Sequence, residues 1–430
     1  MRVTLEPGGI SGNICAIPSK SHVHRLLITA ALAQGETLVK CPHTTGVDIA
    51  ATIACLEALG AKITSVEEGY HIQPIDRGNL PETCVLPCEE SGSTLRFLVP
   101  VVCALGVTGV FSMAGRLPQR PMEPLTEELG KKGIRFWWET PERLCCAGKL
   151  QAGEYTLPGN VSSQYITGLL LALPLLEKDS VLTIAGTVES QDYISLTTAV
   201  LQEFGYQPAF KENSYHITGG KCYHSPGHVQ GEGDWSNAAF WLCAGAMPGG
   251  NITMTGLDPN SLQGDKEVLD ILAQMGAKIS WENGAVTVQE GARRGVEIDA
   301  MAVPDLIPVL SCVAAVSDGK TIVKNAARLR LKESDRIKAT AETLNALGAK
   351  VTELPAGLEI IGVEHLAGGQ ADGWGDHRIA MMAGVASLAA KGPVVVTNAQ
   401  VVNKSYPGFW NALVDLGKTL QLEQGGQDHV

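Results

Sequence analysis

Aromatic side chains are scarce in this 430-residue chain, at 5% of residues. Single-stranded nucleic acid stacks on aromatics interleaved with cations, so no nucleic-acid partner is expected. Positive charge is also in deficit. Lys and Arg number 33 against 45 Asp and Glu, giving a net charge of −12 and a pI near 5.4. That balance disfavours a generic polyanion-binding surface but leaves room for a local cationic pocket. No C-x-x-C occurs among the eleven cysteines, whose closest clusters are Cys84/Cys88 and Cys145-Cys146. Free thiols in a reducing compartment are expected rather than a disulfide framework. His224 and His228 have the spacing of helical metal ligands, but Pro226 and Gly227 stand between them, so no metal is expected. Apolar runs are short or interrupted. None follows Met1-Arg2-Val3-Thr4-Leu5-Glu6, and the longest uncharged stretch, Phe97–Gly115, contains Pro100, Gly106 and Gly109. A buried helix, a turn and a strand are expected there, in a cytoplasmic protein with no membrane contact.

What the chain does have is apolar material, 45% of residues, and abundant glycine, 48 in all. Both suit α/β packing of small residues with many turns. A repeat organises it. The pattern L-x-x-Φ-G, with Φ usually apolar, has its first leucine at Leu56, Leu129, Leu201, Leu272, Leu344 and Leu413, spaced by 73, 72, 71, 72 and 69 residues. The copy at Leu129-x-x-Lys132-Gly133 is degenerate. Each copy reads as an amphipathic helix closed by a glycine in the left-handed conformation. A strand, a turn and a second strand follow, as in Lys62–Val66 and Gly69–Ile72. An earlier helix precedes each copy. The clearest is Ser21–Leu32, and its counterparts begin near Ser93, Ser163, Ser236, Asp305 and His377. The chain is therefore six α/β units of about 70 residues, which stack as a solenoid or close into symmetric lobes.

Polar residues gather where this period puts helix beginnings. The first helices start at Ser19-Lys20-Ser21-x-x-x-Arg25, Ser91-Gly92-Ser93-Thr94-x-Arg96, Ser162-Ser163-Gln164, Asp234-Trp235-Ser236, Asp305 and Asp376-His377-Arg378. The second start near Asp48, Arg120-Pro121, Ser190-x-x-Tyr193, Asp265, Lys332-Glu333-Ser334-Asp335-Arg336 and Lys404-Ser405-Tyr406-Pro407. N-capping is the ordinary reading of Asp48, Asp234 and Asp265. It does not explain the cations. Placed in first helical turns, Lys20, Arg25, Arg96, Arg120, Lys332, Arg336 and Arg378 oppose the helix macrodipole. An anion at the same helix ends reverses that argument, since N–H groups, hydroxyls and cations then converge on phosphate or carboxylate. With Lys404 the cations are eight, too many for one monoanion, so two anionic small molecules are expected. Nucleotide motifs do not account for them. Gly319-Lys320-Thr321 and Gly417-Lys418-Thr419 lack the earlier P-loop glycine, having Ala314 and Ala412 there, and Gly231-Glu232-Gly233 is followed by Ser236 rather than glycine.

In this order and register the segments from Pro18 to Pro407 resemble the 5-enolpyruvylshikimate-3-phosphate synthase family, enolpyruvyl transferases of the shikimate pathway leading to chorismate and the aromatic amino acids. The resemblance implies a two-lobed inside-out α/β barrel of six βαβαββ repeats, three per lobe. Residues 19–231 would form one lobe, and residues 1–18 with 232–430 the other, closing around ligand. It implies transfer of the enolpyruvyl group of phosphoenolpyruvate to the 5-hydroxyl of shikimate 3-phosphate, with release of phosphate, in a monomer without cofactor or metal. Carried over by motif, Arg25, Ser162, Ser163, Ser190 and Tyr193 would hold shikimate 3-phosphate, with Gln164 between the substrates. Lys20, Gly92, Arg120, Arg336, Arg378 and Lys404 would hold phosphoenolpyruvate, and Ser21, Asp305 and Lys332 are further candidate substrate-binding residues. The chemistry requires a base for the attacking hydroxyl and an acid for the methylene carbon. Asp305 is the candidate base and Glu333 the candidate donor, with Lys20 and Lys404 stabilising the tetrahedral intermediate or relaying protons.

Departures from the family pattern are local. Pro18 directly precedes Ser19, Val23 replaces a frequent serine, and Glu89-Glu90 precedes Ser91-Gly92, where a glutamate near an anion pocket points away or pairs with an arginine. Arg328 replaces a frequent asparagine and is a candidate ligand of the shikimate phosphate. Two other readings compete. The sister transferase acting on UDP-N-acetylglucosamine carries a cysteine five residues before its Arg-Pro, where this chain has Gly115. A non-catalytic anion-binding paralogue would have lost Lys20, Asp305, Glu333 or Arg378, and all are present.

Overall fold

The computed structural model describes residues 1–41 and 46–423. Among them the α-helices are Lys20–Leu32 (α1), Val47–Ala58 (α2), Gly92–Leu105 (α3), Glu123–Gly130 (α4), Ser163–Ala172 (α5), Gln191–Glu203 (α6), Trp235–Ala246 (α7), Val268–Met275 (α8), Ile307–Ala314 (α9), Arg336–Ala346 (α10), His377–Ala386 (α11) and Phe409–Asp415 (α12). Each seventy-residue unit holds two. The repeat glycines Gly60, Gly133, Gly205, Gly276, Gly348 and Gly417 all have φ between 78° and 105°, where any Cβ is strained.

Residue type decides which helix of each unit goes inside. In α7, α9 and α11 every residue is buried, in keeping with side chains that are mostly apolar or small all the way round beyond the polar first turns of α7 and α11. The second helices are amphipathic. In α8 only Val268, Ile271, Leu272 and Met275 are buried, the spacing of one helical stripe. Inner helices therefore fill the centre, and sheets and second helices cover them.

Six four-stranded sheets share one pattern of a parallel pair followed by two antiparallel pairs. In five of them the third strand is the return strand of a local hairpin, such as Gly69–Gln73 paired with Lys62–Val66. The sixth takes that strand from the start of the chain. Arg2–Leu5 lies antiparallel between Val394–Thr397 and Leu420–Glu423, with Val3 opposite both Val396 and Leu422. Ser11–Cys15 likewise runs parallel to Asn251–Thr255, and His228–Gln230 runs parallel to Thr37–Lys40.

The chain divides into two compact units. The first lobe is Pro18–Glu232, and the second is Met1–Ile17 with the chain from Gly233 onward. Each has its own apolar core. Leu26, Phe97, Leu169 and Tyr223 belong to one, and Trp241, Leu310, Met381 and Phe409 to the other. Val23 is buried in the first core. The eleven cysteines are free.

Several helix beginnings differ from expectation. Arg25 and Arg96 fall in the second turns of α1 and α3, while Arg120 and Lys332 lie before α4 and α10, each just after a short 3-10 turn. Only Lys20, Arg336 and Arg378 occupy first turns, so the macrodipole argument applies to those three alone. Of the three aspartates read as caps, only Asp234 is one, accepting the Asn237 N–H at 2.7 Å. Asp48 sits inside α2 and pairs with Lys20, and Asp265 lies in the 3-10 turn Gly264–Glu267.

Candidate active site

The first lobe gathers its polar residues where α1, α2, α3 and α5 begin. Ser19, Ser91 and Ser162 cap α1, α3 and α5 through the N–H groups of His22, Thr94 and Gln164. Capping leaves the remaining N–H groups of those turns pointing outward, toward any anion that arrives. Lys20 Nζ is 2.7 Å from Asp48 Oδ2. Gln164 bridges two neighbours, accepting from Arg96 Nη1 at 2.8 Å and donating to Ser93 Oγ at 3.0 Å. Arg96 also donates to the Pro121 carbonyl at 3.1 Å and lies over the Tyr165 ring. Gly92 is tightly enclosed: a Cβ built there would sit 2.8 Å from Arg120 Nη1 and 3.0 Å from Arg96 Nη1. The glycine thus lets two guanidinium groups close on the start of α3. Gly92, Arg96, Arg120 and Gln164 are brought together in this way, Lys20 is linked to the start of α3 through Asp48, whose carbonyl oxygen is 3.4 Å from Thr94 Oγ1, and Ser163 lies beside Gln164 in the first turn of α5. The nearby Glu90 carboxylate packs against Gly115, where a Cβ would be 2.1 Å from its Oε2.

Arg25 is less available than its expected role as a ligand suggests. It is 2% exposed, and burial pulls its pKa down to about 9. Four of its five N–H donors are engaged, by Thr197 Oγ1, Thr167 Oγ1 and the carbonyls of Ser21 and Tyr193. It ties the start of α1 to the start of α6 and leaves one donor on Nη1. Ser190, in the left-handed region at φ 55°, turns the chain into α6 just ahead of Tyr193.

The second lobe builds its cluster around one carboxylate. Asp305 Oδ1 lies 2.6 Å from Arg336 Nη1 and 3.3 Å from Lys332 Nζ, and its Oδ2 lies 3.5 Å from Arg378 Nη2. Arg336 is 1% exposed and also reaches Glu333 Oε2 and Asp376 Oδ2, both at 2.7 Å. Arg378 Nη2 donates to Ser236 Oγ at 2.7 Å, and Lys404 Nζ donates to the Gly375 carbonyl at 2.6 Å. Burial alone would raise the Asp305 carboxyl, but Arg378, Lys332 and Arg336 hold it well below the usual carboxylate range. Burial, with Arg336 and Arg328 nearby, lowers Lys332 to about 8 despite Asp305. Burial opposes the charge of Arg336, yet Asp376, Glu333 and Asp305 raise its pKa above the ordinary value.

Asp305, Lys332, Glu333, Arg336 and Arg378 therefore form one network, with Arg328 beside Lys332 and Lys404 one residue from Asp376 through the Gly375 carbonyl. The sequence pattern gave no site role to Ser93, Asp376 or Ser236, and counted Arg96 among the anion-facing cations without assigning it to a substrate. These residues lie inside the quoted motifs, and their proximity to the expected residues was the available signal. Among the described residues no group of His, Cys, Asp and Glu is arranged to hold a metal. Lys418 of the second Gly-Lys-Thr is buried and bound to the Gly8 and Ser387 carbonyls, a structural clamp unsuited to phosphate.

The family model for EPSP synthase (3-phosphoshikimate 1-carboxyvinyltransferase) matches residues 5–413. A 3-phosphoshikimate 1-carboxyvinyltransferase of Clostridium acetobutylicum is 42% identical over 423 residues, covering 96% of this chain and 97% of that protein. One of Clostridium perfringens is 39% identical over 427 residues, covering 98% and 100%. Among solved structures, EPSP synthase from Acinetobacter baumannii superposes with a TM-score of 0.82 at 27% identity, covering 98% of this chain and 100% of that one. The enolpyruvyl transferase NikO from Streptomyces tendae, at 20% identity and a TM-score of 0.78, shares the fold. By the extent of these matches and the motifs that carry them, the chain belongs to the EPSP synthase family.

Proposed function

We propose that this chain transfers the enolpyruvyl group of phosphoenolpyruvate to the 5-hydroxyl of shikimate 3-phosphate, and that both clusters serve that one reaction. The observation that carries the reading is the Asp305 carboxylate, held by three cations from two separate segments: Lys332 before α10 and Arg336 at its start, and Arg378 on α11. A carboxylate so neutralised is a weak base. An arriving phosphate or carboxylate competes for the same cations, and as they turn to it Asp305 loses the charges that depress its pKa. Its basicity then rises when substrate is present, matching the ideal of a base tuned near working pH.

Asp305 takes the proton of the 5-hydroxyl as that oxygen bonds to C2 of phosphoenolpyruvate, while Glu333 supplies a proton to the methylene carbon. In the second step the bond between C2 and the phosphate oxygen breaks, the proton held by Asp305 leaves with the phosphate, the former methylene carbon returns a proton to Glu333, and the enolpyruvyl ether forms. Lys20 and Lys404 stabilise charge on the intermediate. Arg120, Lys332, Arg336 and Arg378 with the amide of Gly92 hold phosphoenolpyruvate. Ser21, Ser162, Ser163, Ser190, Tyr193, Arg328 and the remaining donor of Arg25 hold shikimate 3-phosphate, with Gln164 between the substrates. The active species is a monomer of the cytoplasm on this reading. Among the described residues no helix is long and apolar enough to cross a membrane. Incubating the purified protein with both substrates should give phosphate and the enolpyruvyl ether in equal amounts, the ether identified by NMR. Phosphate released without shikimate 3-phosphate, or no ether, would overturn the reading.

A further inference from the structure

A buried polar chain runs beneath the first-lobe cluster and has no part in the chemistry above. His24 lies on α1 one turn after Lys20, and Thr52 lies on α2 one turn after Asp48. Thr94 is in the first turn of α3, three residues after its cap Ser91. His24 Nδ1 is 2.7 Å from Thr52 Oγ1, which is 2.6 Å from Thr94 Oγ1. Thr94 Oγ1 is in turn 2.7 Å from Ser91 Oγ and 3.4 Å from the Asp48 carbonyl oxygen. All four side chains are fully buried. The chain is a second rung across α1 and α2, one turn below the Lys20–Asp48 pair, and it continues into the cap of the helix that begins at Gly92.

Four polar side chains in an apolar interior are a demanding way to join three helices. Each must find its partner, and Val or Leu would fill the space without that condition. The chain also has a direction. His24 Nε2 is buried without a hydrogen-bond partner and the ring stands edge-on to Phe97, with centroids 6.4 Å apart. Orphaned buried N–H groups are rarer than under-used acceptors. Nε2 is therefore the bare nitrogen, and Nδ1–H donates to Thr52. Hydroxyl protons then pass from Thr52 to Thr94 and from Thr94 to Ser91, which also accepts the Thr94 N–H at 3.3 Å. Burial keeps the imidazole neutral, and Lys20 and Arg25 reinforce that. A donor at one end and a cap at the other fix the rotation of α1 and α2 against the start of α3.

We propose that His24 and Thr52 are positioning residues for phosphoenolpyruvate: their hydroxyl chain holds Lys20 on α1 and the first amides of α3 at Gly92 in register toward one anion. The inference rests on Lys20 and Gly92 contacting that substrate. It is tested with Thr52→Val and His24→Leu, which break the chain, and with Thr52→Ser and His24→Asn, which retain a hydroxyl and a donor at the place of Nδ1. Losing one such bond should raise KM for phosphoenolpyruvate about five- to twenty-fold in the first pair. KM for shikimate 3-phosphate should stay within about twofold, and the second pair should recover most of the loss. An unchanged KM for phosphoenolpyruvate in Thr52→Val would overturn the proposal. So would equal rises for both substrates, since loosened packing alone would produce them. Lys20→Met separates the two layers: if it also leaves that KM unchanged, the underlying assignment of Lys20 fails, and if it alone raises KM, only the positioning role fails. Long-range proton–nitrogen NMR of the unsubstituted protein gives an independent check, with the His24 proton expected on Nδ1. A proton on Nε2 would contradict the direction of the chain.

Discussion

Gly92→Ala isolates one contact of the first-lobe cluster. Gly92 opens α3, and no left-handed φ is needed there. Its Cβ would lie 2.8 Å from Arg120 Nη1, 3.0 Å from Arg96 Nη1 and 3.2 Å from Arg120 Cζ. Ordinary contact begins near 3.4 Å, so the Arg120 guanidinium must withdraw by about 0.6 Å while the backbone stays in place. Charge-assisted hydrogen bonds are worth about 1.5–3 kcal/mol, and a displacement of this size forfeits about half of one with an anion. A loss of about 0.8–1.5 kcal/mol raises KM for phosphoenolpyruvate roughly four- to twelve-fold. The fold should not suffer, because Ala is the better helix residue by up to about 1 kcal/mol. Phosphate release with phosphoenolpyruvate varied at saturating shikimate 3-phosphate, alongside a thermal melt, measures both. A KM for phosphoenolpyruvate within twofold of the parent in a folded variant would refute the reasoning. An equal rise in KM for shikimate 3-phosphate would do the same.

Lys332, poised at about 8, should impose a fall in kcat/KM for phosphoenolpyruvate above that pH, approaching tenfold per unit as the charge is lost. Lys332→Arg should move that fall to higher pH, and an unmoved break would assign it elsewhere. Asp376→Asn leaves Arg336 buried beside one charge fewer. Breaking such a pair costs about 3–5 kcal/mol, so the melting temperature should drop by roughly 10 °C, and a drop under about 2 °C would show that Asp305 and Glu333 suffice. Burial lowers His22 to about 4, partly opposed by Glu232, so the unfolded chain takes up a proton first as pH falls. Its contribution is intact above pH 6.5 and diminishes by about 2 kcal/mol by pH 5. His22→Asn, which keeps an acceptor for the Glu232 N–H, should flatten that part of the acid stability profile.

The six units were legible because each ends its second helix at a glycine that only a left-handed turn requires, and Gly60 through Gly417 recur at an even period. Which helix goes inside was legible in part. The all-round apolar composition of Trp235–Ala246 marks a buried helix, but nothing local in Arg2–Leu5 says that it completes a sheet with residues almost 400 positions away. The candidate residues were legible as types at helix beginnings, and their pairing was not. Sequence spacing showed Lys20, Arg336 and Arg378 as cations facing a dipole. It did not show that Asp48, Asp305 and Asp376 partly neutralise them, because those contacts depend on how helices pack within a unit and between neighbouring units. Nor did it show that three donors of Arg25 go to Thr167, Tyr193 and Thr197 on two later helices.

That two sets of helix beginnings, built by separate lobes, serve one transfer is tested most directly by taking an arginine from each. Arg120→Met and Arg378→Met should each lower kcat/KM for phosphoenolpyruvate about a hundredfold in the reaction with shikimate 3-phosphate, while both variants remain folded. If either variant retains the activity of the parent protein, its cluster takes no part in the reaction, and the account fails.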